Sequence, residues 1–271
     1  MVRRCIAFTR TNMFVGVYCG PQPRERCVSR RAVVSAAAAV AVGTVLGPET
    51  VCARRANTQA EYDDASTKYD ALDDGPAAQA LQFPQMRAVL LARAKGRVLE
   101  LGVGTGLNLP YYAFGTGHVT NLTGADLSQG MLAQAAMRAR ALGLNADGKV
   151  EFVQADATDM SPVIGSNSFD TIVETFALCV MSDPGAVLRE AHRIIRKSDD
   201  SRLLILDHTR SSWPLLGTYQ DITEPAVTRL SKQCRWNLRI PDLLRENGWS
   251  IVAIQSALAG TVVTIEARPS L

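Results

Sequence analysis

Three glycines spaced two apart, Gly102, Gly104 and Gly106, follow the apolar run Val98-Leu99-Glu100-Leu101. That run has the make-up of a strand buried on both faces of a parallel sheet. Glycines at its end remove the Cβ atoms that would hold a ligand off the backbone and permit dihedrals that other residues avoid. The pattern predicts a turn that binds a nucleoside-type ligand. A dinucleotide fingerprint, G-x-G-x-x-G, needs glycine at 107 or 109, and both are leucine; the pattern is E-x-G-x-G-x-G instead. Twenty-two residues after Gly104 stands Asp126, at the end of the run that starts at Val119. A carboxylate there can accept both hydroxyls of a ribose. The plainer alternative is that Asp126 or Ser128 caps the next helix, since both types are favoured caps.

These residues need a frame, and the rest of the pattern supplies one. A helix is predicted over 131–142, then a third strand from Lys149 that ends in Asp156-Ala157, then a fourth strand within 168–178. A helix over 184–197 and a fifth strand over 202–208 follow. Strand and helix alternate, which predicts an α/β fold with a parallel sheet and right-handed crossovers. Ligands in such sheets bind beyond the carboxyl ends of the strands, where all of these motifs fall. Residues 211–231 break the alternation with Trp213-Pro214, Tyr219 and Glu224-Pro225. A helix over 241–247, stopped by Gly248, and two strands over 250–256 and 261–267 close the chain.

The order and spacing of these motifs over residues 60 to 268 resemble the class I S-adenosylmethionine (SAM) dependent methyltransferases. Within them, Tyr69-Asp70-Ala71-Leu72-Asp73-Asp74-Gly75, Gly102 through Leu109-Pro110-Tyr111-Tyr112, and Leu178-Cys179-Val180-Met181-Ser182-Asp183-Pro184 resemble the UbiE/type 11 group, closest to the methyltransferase-like 7 and Oms1-like proteins. The resemblance implies a Rossmann-like sandwich with a seven-stranded, mostly parallel sheet and a C-terminal antiparallel hairpin. It implies SAM as cofactor, with Glu100 near its amino-acid end and Gly102, Gly104 and Gly106 passing under it. Asp126 and Leu127 then meet the ribose, and Asp156 and Ala157 the adenine, whose exocyclic amine donates a hydrogen bond to the acid. Tyr69 and Asp70 fold over SAM in relatives, although a plain surface helix is the rival. The segment 211–231 corresponds to part of a lid, so that Trp213, Tyr219 and Trp236 either line an apolar acceptor pocket or serve as ordinary core. One departure is Lys197-Ser198-Asp199-Asp200-Ser201, in place of the usual Pro-Gly-Gly turn. Asp and Ser also form turns, so an altered surface loop with intact chemistry is expected.

The implied function is methyl transfer to a small, lipophilic acceptor: a prenylated quinone carbon from the UbiE resemblance, a thiol or other small nucleophile from the methyltransferase-like 7 resemblance. A sulfonium methyl is already activated, so alignment and exclusion of water carry most of the catalysis. A base is needed only for an acceptor that loses a proton. His208, at the end of the fifth strand, is the candidate; the rival is a histidine satisfying a loop hydrogen bond. Asp207 either orients it or caps the loop. His192 reads as surface, and His118 lies in the loop before the second strand. The rival from another class is a non-catalytic, membrane-associated assembly or binding protein, against which stand the intact Glu100, glycines, Asp126 and Asp156. A nicotinamide oxidoreductase lacks its glycine spacing here.

The chain has 271 residues, more than a single α/β core of about 210 needs. Residues 1–56 hold nine arginines and two acids, whereas the remainder holds 20 basic and 24 acidic residues. The net +3 is therefore a basic leader plus a mildly acidic enzyme and gives no pointer to nucleic acid. An arginine-rich, acid-poor leader resembles an organelle transit peptide, expected to be disordered, ahead of a methyltransferase domain over 57–271. The Ala/Val run 32–46 is short for a membrane span of about 20 residues. It reads as a twin-arginine-like thylakoid signal, a weak membrane anchor or part of one transit peptide, with chloroplast favoured and mitochondrion second. Cys5, Cys19, Cys27 and Cys52 lie in the leader; no cysteine pair has zinc-ligand spacing, and Cys179 and Cys234 make no disulfide framework, so no metal is expected.

Overall fold

The structure, a computed structural model, describes residues 58–144 and 147–270; the leader, its Ala/Val run and the targeting readings made for it lie outside the described residues. Helical residues 58–65 form α1. After it come α2 (Tyr69–Asp73), α3 (Pro76–Ala80) and α4 (Phe83–Leu91), then β1 (Gly96–Leu101), β2 (Val119–Asp126), α5 (Gln129–Ala141), β3 (Val150–Gln154), β4 (Thr171–Thr175), α6 (Pro184–Ile194) and β5 (Arg202–His208). The chain ends through α7 (Pro214–Leu230), α8 (Ile240–Glu246), β6 (Trp249–Ala257) and β7 (Val262–Pro269).

One seven-stranded sheet results, in the order β3-β2-β1-β4-β5-β7-β6. Strands β1 to β5 pair in parallel, and β7 runs antiparallel to both β5 and β6. The predicted sheet and reversed hairpin are both present. In β5 the pleat sends Leu203 and Ile205 to one core with Val187, Leu188 and Ile194 of α6, and Leu204 and Leu206 to the other with Leu90 and Leu91 of α4. Such two-faced burial requires the continuous apolar runs seen in the sequence.

Boundaries shift in physically explicable ways. The fourth strand is only Thr171–Thr175, because Phe176 turns out of the sheet with φ 53°. Helix α6 stops at Ile194 because Ile195 turns extended and forms an isolated parallel bridge with Phe169. The altered turn forms as expected, with Ser201 N–H donating to Ser198 O at 3.1 Å. The register sets Leu101 beside Ala125 and Glu174, and Asp126 beside Gln154. Gly102, Asp126 and Asp156 therefore emerge at one end of the sheet. Among the described residues no helix is long and apolar enough to cross a membrane.

Candidate active site

Strand β1 runs straight into the glycine turn. A Cβ on Gly102 would lie 2.5 Å from the Ala177 Cβ, so the turn approaches the loop after β4 more closely than any side chain permits. At Gly104 the nearest atom to such a Cβ is the Gly102 carbonyl, 4.0 Å away, which leaves the space above the backbone open. Gly106 is different: its Cβ would meet Leu109 Cδ1 at 2.7 Å and Ala135 Cα of α5 at 3.3 Å. Gly106 thus lets the turn pack on α5 and stands outside the cleft.

Asp126 fastens this turn from the next strand. Its Oδ2 accepts from the Gly104 N–H and its Oδ1 from the Ser128 N–H, both at 2.9 Å. Burial raises its carboxyl above the ordinary range, and these two N–H groups pull it back. The cap of α5 is Ser128, whose Oγ accepts from Met131 N–H at 3.1 Å while donating to Asp63 at 2.5 Å. The capping role therefore falls to Ser128 and leaves Asp126 facing the cleft. Gly102, Gly104, Asp126, Leu127, Asp156 and Ala157 line that cleft together. Asp156 fixes its own loop by accepting from Thr158 N–H at 3.0 Å.

Glu100 lies behind the turn, buried and off the cleft lining. Its Oε1 accepts from Asn108 Nδ2 and its Oε2 from the Tyr112 hydroxyl, both at 2.8 Å. Burial pushes its carboxyl up to about 7, opposed by those two donors and by the Arg87 charge. Arg87 itself is buried, donating to Asn108 Oδ1 at 2.8 Å and Thr175 Oγ1 at 2.7 Å. Glu100 thereby holds the turn from below through Asn108.

The segment before β1 packs at the cleft. Tyr69 lines the cleft, and Asp70 accepts from Thr105 Oγ1 at 2.5 Å and pairs with Arg138, tying α2 to the glycine turn and to α5. A second cavity of about 460 Å³ adjoins the cleft, and Tyr62, Tyr69, Phe176 and Val180 line both. Phe176, in the left-handed region unusual for a bulky residue, stands at the junction with Phe83 at 4.7 Å and His208 at 5.1 Å between ring centroids.

His208 lines the second cavity, with Nδ1 3.7 Å from Cys234 Sγ and 4.0 Å from Cys179 Sγ. Asp207, fully buried, holds the backbone around it: Oδ1 accepts from His208 N–H at 2.6 Å and Oδ2 from Cys179 N–H at 2.9 Å. Burial raises the Asp207 carboxyl, and burial beside Asp207 raises that of Glu174 well above its usual value. Among the three lid aromatics, Trp236 lines the cavity, whereas Trp213 and Tyr219 are exposed, Tyr219 meeting Trp236 edge-on at 5.9 Å. They are neither pocket nor core. His192 is half-buried against Trp249, 5.5 Å away, and so is not a free surface residue.

Sequence reasoning missed Arg87, which sits in an unremarkable helical stretch, and the roles of Asn108 and Tyr112, which are set only by the folded turn. It also missed the grouping of Cys179, His208 and Cys234, because the three come from separate segments, His208 from the end of β5 and the cysteines from the loops after β4 and α7, and no linear spacing joins them.

A parallel sheet reversed by a final hairpin, with a glycine turn and an acid on the next strand, defines a methyltransferase of the Rossmann-like class. Residues 99–199 match the family model described as a methyltransferase domain. Phosphatidylethanolamine N-methyltransferase of Cereibacter sphaeroides is 33% identical over 181 residues, covering 65% of this chain and 82% of that protein. The mitochondrial methyltransferase OMS1 of Saccharomyces cerevisiae is 27% identical over 195 residues, 67% of this chain and 40% of its own. The ubiquinone/menaquinone biosynthesis C-methyltransferase UbiE of Sinorhizobium fredii is 33% identical over 129 residues, 48% of each chain. This chain thus spans less than half the length of the latter two. Among solved structures, magnesium protoporphyrin IX methyltransferase from Synechocystis, determined with bound SAH, has the same fold, with a TM-score of 0.57 at 14% identity over 80% of this chain and all of that one. The chain belongs to the class I SAM-dependent methyltransferases, in the type 11 group with UbiE and the Oms1-like proteins.

Proposed function

We propose that this methyltransferase passes the methyl group of SAM to a small, lipophilic acceptor held in the second cavity. The observation that carries this reading is the junction at Tyr69 and Phe176, where the cleft of the glycine turn opens onto an aromatic-lined chamber. SAM supplies a methyl group already activated by its sulfonium. Gly102 and Gly104 let it rest on the backbone, Asp126 and Leu127 meet its ribose, and Asp156 and Ala157 its adenine. Glu100 and Gly106 act at one remove, by holding and packing the turn. Tyr62, Tyr69 and Phe176 keep water from the junction, which strengthens every polar contact inside it. His208 is the group placed to handle the acceptor's proton where there is one.

Two features support lipophilicity. The chamber wall includes Leu81, Phe83, Val227, Leu230 and Trp236. Helix α7 exposes Leu215, Ile222 and Leu230, apolar surface that soluble monomers seldom leave grouped. The names of the phosphatidylethanolamine and ubiquinone/menaquinone relatives fit a lipid or quinone acceptor. For location, we favour an organelle reached through residues 1–56; the mitochondrial name of the OMS1 relative weighs toward the mitochondrion over the chloroplast that the leader first suggested. Membrane association belongs to the same proposal. The test is turnover: the full-length chain, given SAM and a panel of quinols, thiols and phosphatidylethanolamine vesicles, is expected to yield S-adenosylhomocysteine and one methylated product. Binding without turnover across the panel would favour the non-catalytic alternative.

A further inference from the structure

Cys179, Cys234 and His208 bring two sulfurs and one ring nitrogen together on the wall of the second cavity. The separations are 3.4 Å between the sulfurs, 3.7 Å from Cys234 Sγ to His208 Nδ1 and 4.0 Å from Cys179 Sγ to the same nitrogen. Tetrahedral zinc, with bonds of about 2.3 Å to sulfur and 2.0 Å to nitrogen, sets its ligand atoms roughly 3.5 to 3.8 Å apart. The point equidistant from these three atoms lies about 2.1 Å from each, so an ion fits without rearrangement of the triangle.

The surroundings make this a built site. Asp207 fixes two of the three ligand segments through the Cys179 and His208 N–H groups, the supporting role that buried carboxylates play around metal ligands. The third segment is tied in by Arg235 N–H donating to Cys179 O at 2.9 Å. All three residues line the cavity in which the proposed acceptor would lie.

We propose that Cys179, Cys234 and His208 form a zinc site with three protein ligands, whose open fourth position receives the acceptor's nucleophilic atom. Two thiolates and a neutral imidazole balance the charge of the ion. Sites of this kind, with three ligands and a vacancy, are those that activate a bound group. An acceptor X–H, a thiol above all since zinc is borderline soft, gives its proton to water and binds as the anion. Its lone pair then forms the new bond to the methyl carbon, while the carbon–sulfonium bond breaks with its electron pair left on the cofactor sulfur. The methylated product is a neutral, weak ligand and leaves. His208 thus handles the acceptor's proton as a metal ligand and not as a free base. The role in transfer rests on the methyltransferase reading; the metal site itself does not.

The experiment is elemental analysis of the untagged, full-length protein, together with cobalt(II) titration of the protein stripped by chelator. One zinc per chain, and a cobalt spectrum with a thiolate charge-transfer band and intense tetrahedral d–d bands, is expected. Cys234→Ser and Cys179→Ala should each lose both signals while still binding S-adenosylhomocysteine, which also reports that they fold. If either variant fails to fold, the wild-type metal content and cobalt spectrum decide alone. Metal-free wild-type protein without the cobalt bands, or a Cys179–Cys234 disulfide in its place, would overturn the proposal and leave the SAM reading untouched.

Discussion

Asp126 and Gly104 are joined by a hydrogen bond of 2.9 Å, from the glycine N–H to one oxygen of the carboxylate. Two motifs that the sequence presents separately are therefore one device: the acid proposed to meet a ribose also holds the glycine turn. Asp126→Ala removes both. It is expected to weaken S-adenosylhomocysteine binding by roughly 1 to 3 kcal/mol, as lost hydrogen bonds to a buried partner do. Calorimetric titration of the variant checks this, and unchanged affinity would take Asp126 out of the site.

Gly102 and Gly106 separate binding from packing. Gly102→Ala forces the turn away from Ala177, so cofactor affinity is expected to collapse. Gly106→Ala presses on Leu109 and Ala135 behind the cleft, with an expected stability loss of about 1 to 3 kcal/mol, the range for overpacking, and no change in affinity of the folded fraction. Denaturant melts with and without S-adenosylhomocysteine distinguish the two; equal effects of both variants on affinity would contradict the assignment of Gly106 to packing.

Glu100 gives the protein a pH signature. In the folded chain its carboxyl holds a proton up to about pH 7, against an ordinary value of 4.5. A raised folded value means that its contribution is full below pH 4.5 and is lost as pH rises through 7, on the order of 3 kcal/mol at most. Glu100→Gln should flatten the fall of unfolding free energy across that window. A slope identical to wild type would place Glu100 in a wetter, ionised setting.

His208→Ala tests the second cavity. The side chain lines the second cavity and not the cleft of the glycine turn, so under the proposed function affinity for S-adenosylhomocysteine should stay while transfer to a proton-bearing acceptor slows by roughly 10² to 10⁴. Full activity on such an acceptor would show that His208 is a bystander.

The parts of this molecule legible in its sequence are those written in local pattern. Val98, Leu99 and Leu101 announce a two-faced strand because burial on both sides favours apolar residues, and the one acid among them, Glu100, is buried with hydrogen bonds from Asn108 and Tyr112. Gly102, Gly104 and Asp126 stand at distances fixed by one turn and one crossover helix, and Ser128 announces a cap. Contacts between distant segments leave no such trace. Arg87 meets Asn108 and Thr175 only when α4 crosses the end of the sheet. Cys179 and Cys234 are 55 residues apart, and what brings their sulfurs to 3.4 Å is the packing of the segment after α7 against the loop after β4. Trp213, just before α7, and Tyr219 on it have the composition of a pocket wall, but both are exposed, an orientation that only the packing of the helix sets.

If the glycine turn and Asp126 hold SAM, calorimetric titration of the full-length protein with S-adenosylhomocysteine, with NAD as control ligand, will show it. Micromolar, one-to-one binding of S-adenosylhomocysteine and none of NAD is the predicted result. A folded protein that binds neither, or that prefers NAD, would contradict it.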